Sequence, residues 1–300
     1  MNWIYLFLSL ARPVYLLGTV FLYSLGAGIA KYLGVTIHWL TFFYGLAWIL
    51  LIQIGGLALF DYFEPEKTQL VNDNKKPNNY RSVTDEKTNA LIRVVTGFTC
   101  LAAAGSISIL LMQTNRLTLT TSILMIMAFL GMIFFSLPPF RLAYSGYGEL
   151  LIAILFANLI PALSFVLQTE ELHRLVAMTT FPLMPLLLAM IIAFEFPAYS
   201  NDLKNNKRKL IIRMGWQRAM ILHNLLILCT YLLLAIAMIF HLPAFIGLPV
   251  FLTLPLGIFQ IWQMKRISIG AKPNWSSLKI SWIVFSYAIV YLLVYSYWIH

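Results

Sequence analysis

Asp61 and Glu64 stand three residues apart in "FDYFEPE", and Glu195 and Asp202 stand seven apart in "FEFPAYSND". Either spacing places a pair of carboxylates on one face of a helix. Each pair ends a long apolar run. An ionised carboxylate beside hydrocarbon is costly unless it is paired or ligates a metal. At a helix C-terminus the dipole is negative, which disfavours an anion and favours a bound cation. Carboxylate oxygens, with waters and phosphate completing the shell, describe Mg2+. Cations follow both pairs: Lys76 and Arg81 behind the first, Lys207 and Arg208 behind the second. Ammonium and guanidinium groups suit phosphate oxygens. Together these residues describe a diphosphate site, with Asp61, Glu195 and Asp202 as its working acids and Glu64 as a further metal ligand. They also read as an interfacial charge cluster whose long cations merely anchor helices.

A second unusual stretch is "FFSLPPFRLAYSGYGELL", Phe134–Leu151. Pro138-Pro139 end a helix. Arg141, Tyr144 and Glu149 follow, and Gly146 and Gly148 allow tight turning. Arg141 is one more candidate for the diphosphate. Tyr62, Tyr144 and Tyr199 are candidates for the wall of a pocket, where an aromatic face steadies a carbocation. The stretch reads equally as an ordinary connector with a membrane-interface tyrosine. No two of the five histidines stand at metal-ligand spacing, and Cys100 and Cys229 form no CxxC pair. Redox and zinc chemistry are therefore not indicated.

The elements that must position these groups are membrane helices. The chain has 300 residues, 60% of them hydrophobic and only 11% charged. A crossing helix needs about 20 apolar residues. Nine runs qualify: 14–34, 38–60, 90–112, 118–138, 146–168, 175–197, 219–240, 242–262 and 279–299. The expectation is an all-α polytopic membrane protein of one domain, 1–300. The opening "MNWIYLFLSLARP" reads as an interfacial segment rather than a cleaved signal. The net charge of +10 falls in short stretches between apolar runs. That pattern fits orientation in a bilayer, not a nucleic-acid face. With the N-terminus inside, all but Lys31, Arg116 and Arg174 of the 21 cations lie inside. So do all acids except Glu170 and Glu171. Two long inner loops result, about 61–89 and 198–218. Both begin with acids and continue with Asn and Lys, four helices apart, as an internal repeat of helices 1–4 and 5–8 would place them.

These stretches resemble the UbiA superfamily of intramembrane aromatic prenyltransferases, in its order. "ARPVYLLGTVFLYSLGAGIA" looks like its opening helix, and "GGLALFDYFEPE" stands at its first Asp-rich motif. "FSLPPFRLAYSGYGELL" and "FEFPAYSNDLKNNKRKLIIRMG" match a third segment and the second Asp-rich motif with its Gly-Lys-Arg tail. The nearest branch prenylates 1,4-dihydroxy-2-naphthoate for menaquinone. The chain departs from the pattern Asn-x-x-Asn-Asp-x-x-Asp, with Leu57, Phe60, Asp61 and Glu64 at those places. In Asp-x-x-x-Asp the first acid is Ala198, and the usual Gly before Lys207 is Asn206. The resemblance implies Asp61, Glu64 and Asp202 on Mg2+, with Lys207 and Arg208 on the diphosphate. Glu195, about one turn before Ala198, could replace the missing acid. The implied partners are a polyprenyl diphosphate, an aromatic acceptor and the bilayer of a bacterial or archaeal cytoplasmic membrane. A terpene cyclase of the same superfamily and a non-catalytic isoprenoid-binding relative are the alternatives. A proton-coupled transporter is disfavoured, because no acid falls at mid-membrane.

Overall fold

A computed structural model describes residues 13–63, 80–114 and 116–300, with side chains described from residue 89 onward in the second of these segments. The opening interfacial segment, Glu64 and Lys76 lie outside the described residues, as does the side chain of Arg81. Among the described residues nine helices are long and apolar enough to cross a membrane. They are α1 (Pro13–Tyr32), α2 (Trp39–Tyr62), α3 (Tyr80–Gln113), α4 (Leu119–Ser136), α5 (Gly148–Thr169), α6 (Arg174–Lys204), α7 (Trp216–Ile239), α8 (Ala244–Ser268) and α9 (Trp275–Ile299). Only helices or closed barrels satisfy every backbone polar group in hydrocarbon, and each apolar run has taken the helical solution.

The bundle is unevenly packed. α6, α2, α1 and α5 bury half or more of their spans, whereas α3 buries 17% of its span and packs chiefly on α2. α1 lies between α5 and α9. Gly26 permits the closest of these approaches, since a Cβ there would collide with the Pro161 carbonyl and the Ser164 side chain. Large apolar side chains such as Phe98, Ile126, Leu228, Leu252 and Ile280 are exposed on the outer faces. Those faces meet lipid, so apolar side chains there carry no penalty.

Three departures from the expected spans bear on the site. α3 starts at Tyr80, ahead of its apolar part, because the polar stretch before Asn89 contains no Gly or Pro to stop it. α6 continues past the apolar run through a 3-10 turn at Phe196–Ala198 and a last helical stretch, Tyr199–Lys204. Pro197 sits in that turn, where its missing N–H costs little. α5 contains a π-helical turn at Leu155–Leu159, just before Pro161. Such turns widen a helix locally and re-aim its side chains; here Phe156 lines the main cavity.

Candidate active site

A cavity of about 330 Å3 opens at the end of the bundle where α2 and α6 finish and α5 begins. Its charged rim is Glu149, Glu195, Lys207 and Lys209. Its walls are Leu57, Phe60, Met132, Phe135, Tyr144 and Phe156, and the Gln53 side chain lies among them. Tyr15 and Phe156 also line a small apolar cavity between α1, α5, α6 and α9. Charge is thus confined to one end, and apart from the Gln53 amide the rest is hydrocarbon and aromatic.

The rim is built by local chain geometry. α6 delivers Glu195 and Asp202 from its last turns. The chain then reverses at Asn206, whose φ of 52° is left-handed. Asn is the best-tolerated side chain there after Gly, which accounts for Asn206 in the place usually held by Gly. Residues 207–209 follow without helical structure, with Lys209 in extended backbone. In an extended chain alternate side chains face opposite ways. Lys207 and Lys209 both turn into the cavity, and Arg208 is exposed.

Lys209 Nζ lies 2.9 Å from Asp202 Oδ2 and 3.6 Å from Glu195 Oε1, while Lys207 Nζ lies 3.4 Å from Asp202 Oδ1. The Asp202 side chain is only 3% exposed. Glu149, at the start of α5, accepts the Leu210 N–H at 3.0 Å and stands beside Glu195. Two neighbouring carboxyls repel unless a cation is close, and Lys209 is that cation. Burial pushes the Lys209 pKa down, but Glu195, Asp202 and Glu149 raise it by more, and it stands above the ordinary lysine value. The ammonium is therefore fully charged at neutral pH.

Tyr144 joins the two halves. Its ring stacks on Phe60 at 5.6 Å and lies 5.6 Å from Lys207 Nζ and 5.3 Å from the Arg141 guanidinium. Phe60 stacks in turn on Phe135 at 5.5 Å. Arg141 has a left-handed φ of 44° in the connector after Pro139. Gly146, at φ 80°, packs where a Cβ would stand 2.7 Å from the Arg213 side chain and 2.9 Å from the Arg208 carbonyl oxygen. The 134–151 connector is thus wedged against the 207–215 segment.

The remaining expected residues are placed as follows. Asp61 is buried one turn after Leu57, at the C-terminal end of α2, beside the cavity-lining Phe60. Tyr62 is exposed and packs edge-on to Phe63, and Tyr199 packs edge-on to Trp216. Neither lines the cavity. Glu149 and Lys209 were visible in sequence but carried no assigned role. Gln53 was not singled out: it lies two turns before Asp61 on the same helical stripe, and that spacing was the signal available. Its Oε1 accepts from Thr19 Oγ1, and its Nε2 has no hydrogen-bond partner among the described residues.

The donor sets of the two ends differ in what they can hold. A buried carboxylate at a helix C-terminus, as Asp61 is, suits a hard cation. At the second end Asp202 and Glu195 already face lysines, and no group of three His, Cys, Asp or Glu able to hold a metal occurs among the described residues. There the lysines occupy the approach that a divalent ion would need to reach those oxygens.

The fold and site define a multi-pass helical membrane protein with a charged, aromatic-walled chamber at one rim. The UbiA prenyltransferase family matches residues 19–285. The chain belongs to that family, and it is a multi-pass integral membrane protein. None of the curated proteins matches it by sequence. Among solved structures it is similar to a digeranylgeranylglyceryl phosphate synthase described in membranes, at 13% identity and TM-score 0.63, with all of both chains covered. It is also similar to a UbiA homologue from Archaeoglobus fulgidus bound to GPP and Mg2+, at 15% identity and TM-score 0.60, over 95% of this chain and 99% of that one. The Cd2+-bound form of the homologue aligns at 17% identity and TM-score 0.56, over 95% and 98%. At these identities the likeness is one of fold.

Proposed function

We propose that this chain transfers a prenyl group from an allylic prenyl diphosphate to an aromatic acceptor inside the membrane, as a step in making a quinone or another prenylated lipid. The observation that carries the reading is the shape and charge of the cavity. Lys207 and Lys209 stand at its rim, aromatic rings form its wall, and an apolar extension passes Tyr15 and Phe156. An amphiphile with an anionic head and a long hydrocarbon tail matches that arrangement. Family membership and the GPP- and Mg2+-bound homologue support it.

In this reading Lys207 and Lys209 receive the diphosphate, and their charge lowers the barrier to its departure. The allylic C–O bond breaks and the electron pair leaves with the diphosphate. Phe60, Phe135 and Tyr144 face the resulting cation with their rings. Apolar walls keep out water that would quench it. The π electrons of the acceptor ring form the new C–C bond, and a ring proton is then lost. Mg2+ at Asp61, with Glu64, would supply further positive charge for the leaving group.

The test uses membranes carrying the protein, a radiolabelled allylic diphosphate and Mg2+, with and without aromatic acceptors. Diphosphate release that requires the acceptor is expected. Release without acceptor, together with a hydrocarbon product, would show cyclisation instead. No release at any chain length would refute both and leave an isoprenoid-binding role.

A further inference from the structure

We propose that the Lys209 ammonium, held between Asp202 and Glu195, is a built-in cation that takes the place of a divalent metal ion at the second acidic segment. The inference deepens the prenyl-transfer reading and rests on it for the nature of the ligand.

Three observations carry it. The first is occupancy: Asp202 faces Lys207 through one oxygen and Lys209 through the other, and Glu195 Oε1 faces Lys209 as well. A metal ion would have to displace Lys209 to reach these oxygens. The second is charge balance. Ala198 lines the cavity, one turn before Asp202 on the chain, where an acid would have supplied another anionic ligand. Removing one carboxylate and exchanging a divalent ion for an ammonium leaves the local charge unchanged. The third is reach. Lys209 lines the cavity, and an ammonium has three donors. Its ion pairs with Asp202 and Glu195 engage two carboxylates, and three donors leave capacity for a phosphate oxygen. A tethered ammonium also avoids the dehydration that Mg2+ resists.

The experiment uses the purified full-length chain, with Mn2+ as an oxygen-seeking probe counted by electron paramagnetic resonance. Wild type and Lys209→Met are compared with and without an unreactive allylic thiolodiphosphate. Lys209→Met should bind one more Mn2+ per chain than wild type. Its affinity for the analogue in EDTA should fall about 10-fold or more and recover on adding Mn2+. Equal Mn2+ counts in the two proteins overturn the proposal. If Lys209→Met is unstable in EDTA, Mn2+ should restore its melting temperature; a loss of fold that Mn2+ does not repair also overturns it. None of these readouts needs turnover. A chain that shows the Mn2+ difference but transfers no prenyl group defeats the transfer reading alone, and the converse result defeats this one alone.

Discussion

Asp202 is almost fully buried and touches two lysines, and its neighbours differ in how far they could be read from residue type. Glu195 and Asp202 were legible because acids at the end of an apolar run are rare and costly. Lys207 and Arg208 look equivalent in sequence, yet only the first turns inward. Backbone geometry decides that, and nothing in composition reveals that 207–209 leaves the helix, with Lys209 extended. Glu149 was legible as an acid in an inner connector, but its closeness to Glu195 depends on how α5 meets α6. Gln53 yields a prediction at this scale. Its amide lies among the cavity walls, two turns from the charged rim, with Nε2 unpartnered among the described residues. Under the proposed transfer reaction, a hydroxyl of the acceptor would be its partner. Gln53→Leu should raise the KM for the acceptor about 10-fold and leave that for the allylic diphosphate unchanged. Steady-state kinetics with each substrate varied in turn checks this. Equal effects on both would mean that Gln53 acts by packing on Thr19.

At the scale of elements, helix existence was legible and helix ends were not. Hydropathy alone marks a crossing segment, and all nine expected runs carry a helix. The ends answer to other forces. α3 begins ahead of its apolar part because nothing there breaks a helix, and α6 runs on to Lys204 because Pro197 falls where a turn of helix can begin. The π-helical turn in α5 left no hydropathy signature, although Pro161 marks the backbone that it relieves. The connector between α4 and α5 is where an element-scale prediction belongs. Gly146 has φ 80° and stands against Arg213 and the Arg208 carbonyl. Gly146→Ala should destabilise the protein by at least about 1–2 kcal/mol from the left-handed backbone alone, with the crowding added. A lower melting temperature in detergent is the expected result. An unchanged one would mean that the connector relaxes away from the 207–215 segment without cost.

For the whole molecule, the two ends of the bundle are chemically unlike. One end holds the cavity and its cluster of acids and lysines. The other holds a smaller set in which Arg116 pairs with Glu170 at 2.9 Å and Gln168 accepts the His38 N–H at 2.9 Å. From the cation distribution we predict that the cavity end faces the cytoplasm. A cysteine-labelling experiment tests that orientation. With Cys100 and Cys229 replaced, Glu171→Cys should react with an impermeant maleimide in intact cells, and Lys204→Cys only after permeabilisation. The opposite pattern would place the cavity outside and require its anionic ligand to arrive from there.

The chain between Asn206 and Leu210 carries a consequence for heredity. Because side chains alternate there, facing depends on counting as much as on chemistry. Loss of the Lys207 codon would put Arg208 in the inward place and Lys209 in the outward one. A planar fork would then confront Asp202 in place of two ammonium groups. In this short stretch a length change is more damaging than most substitutions.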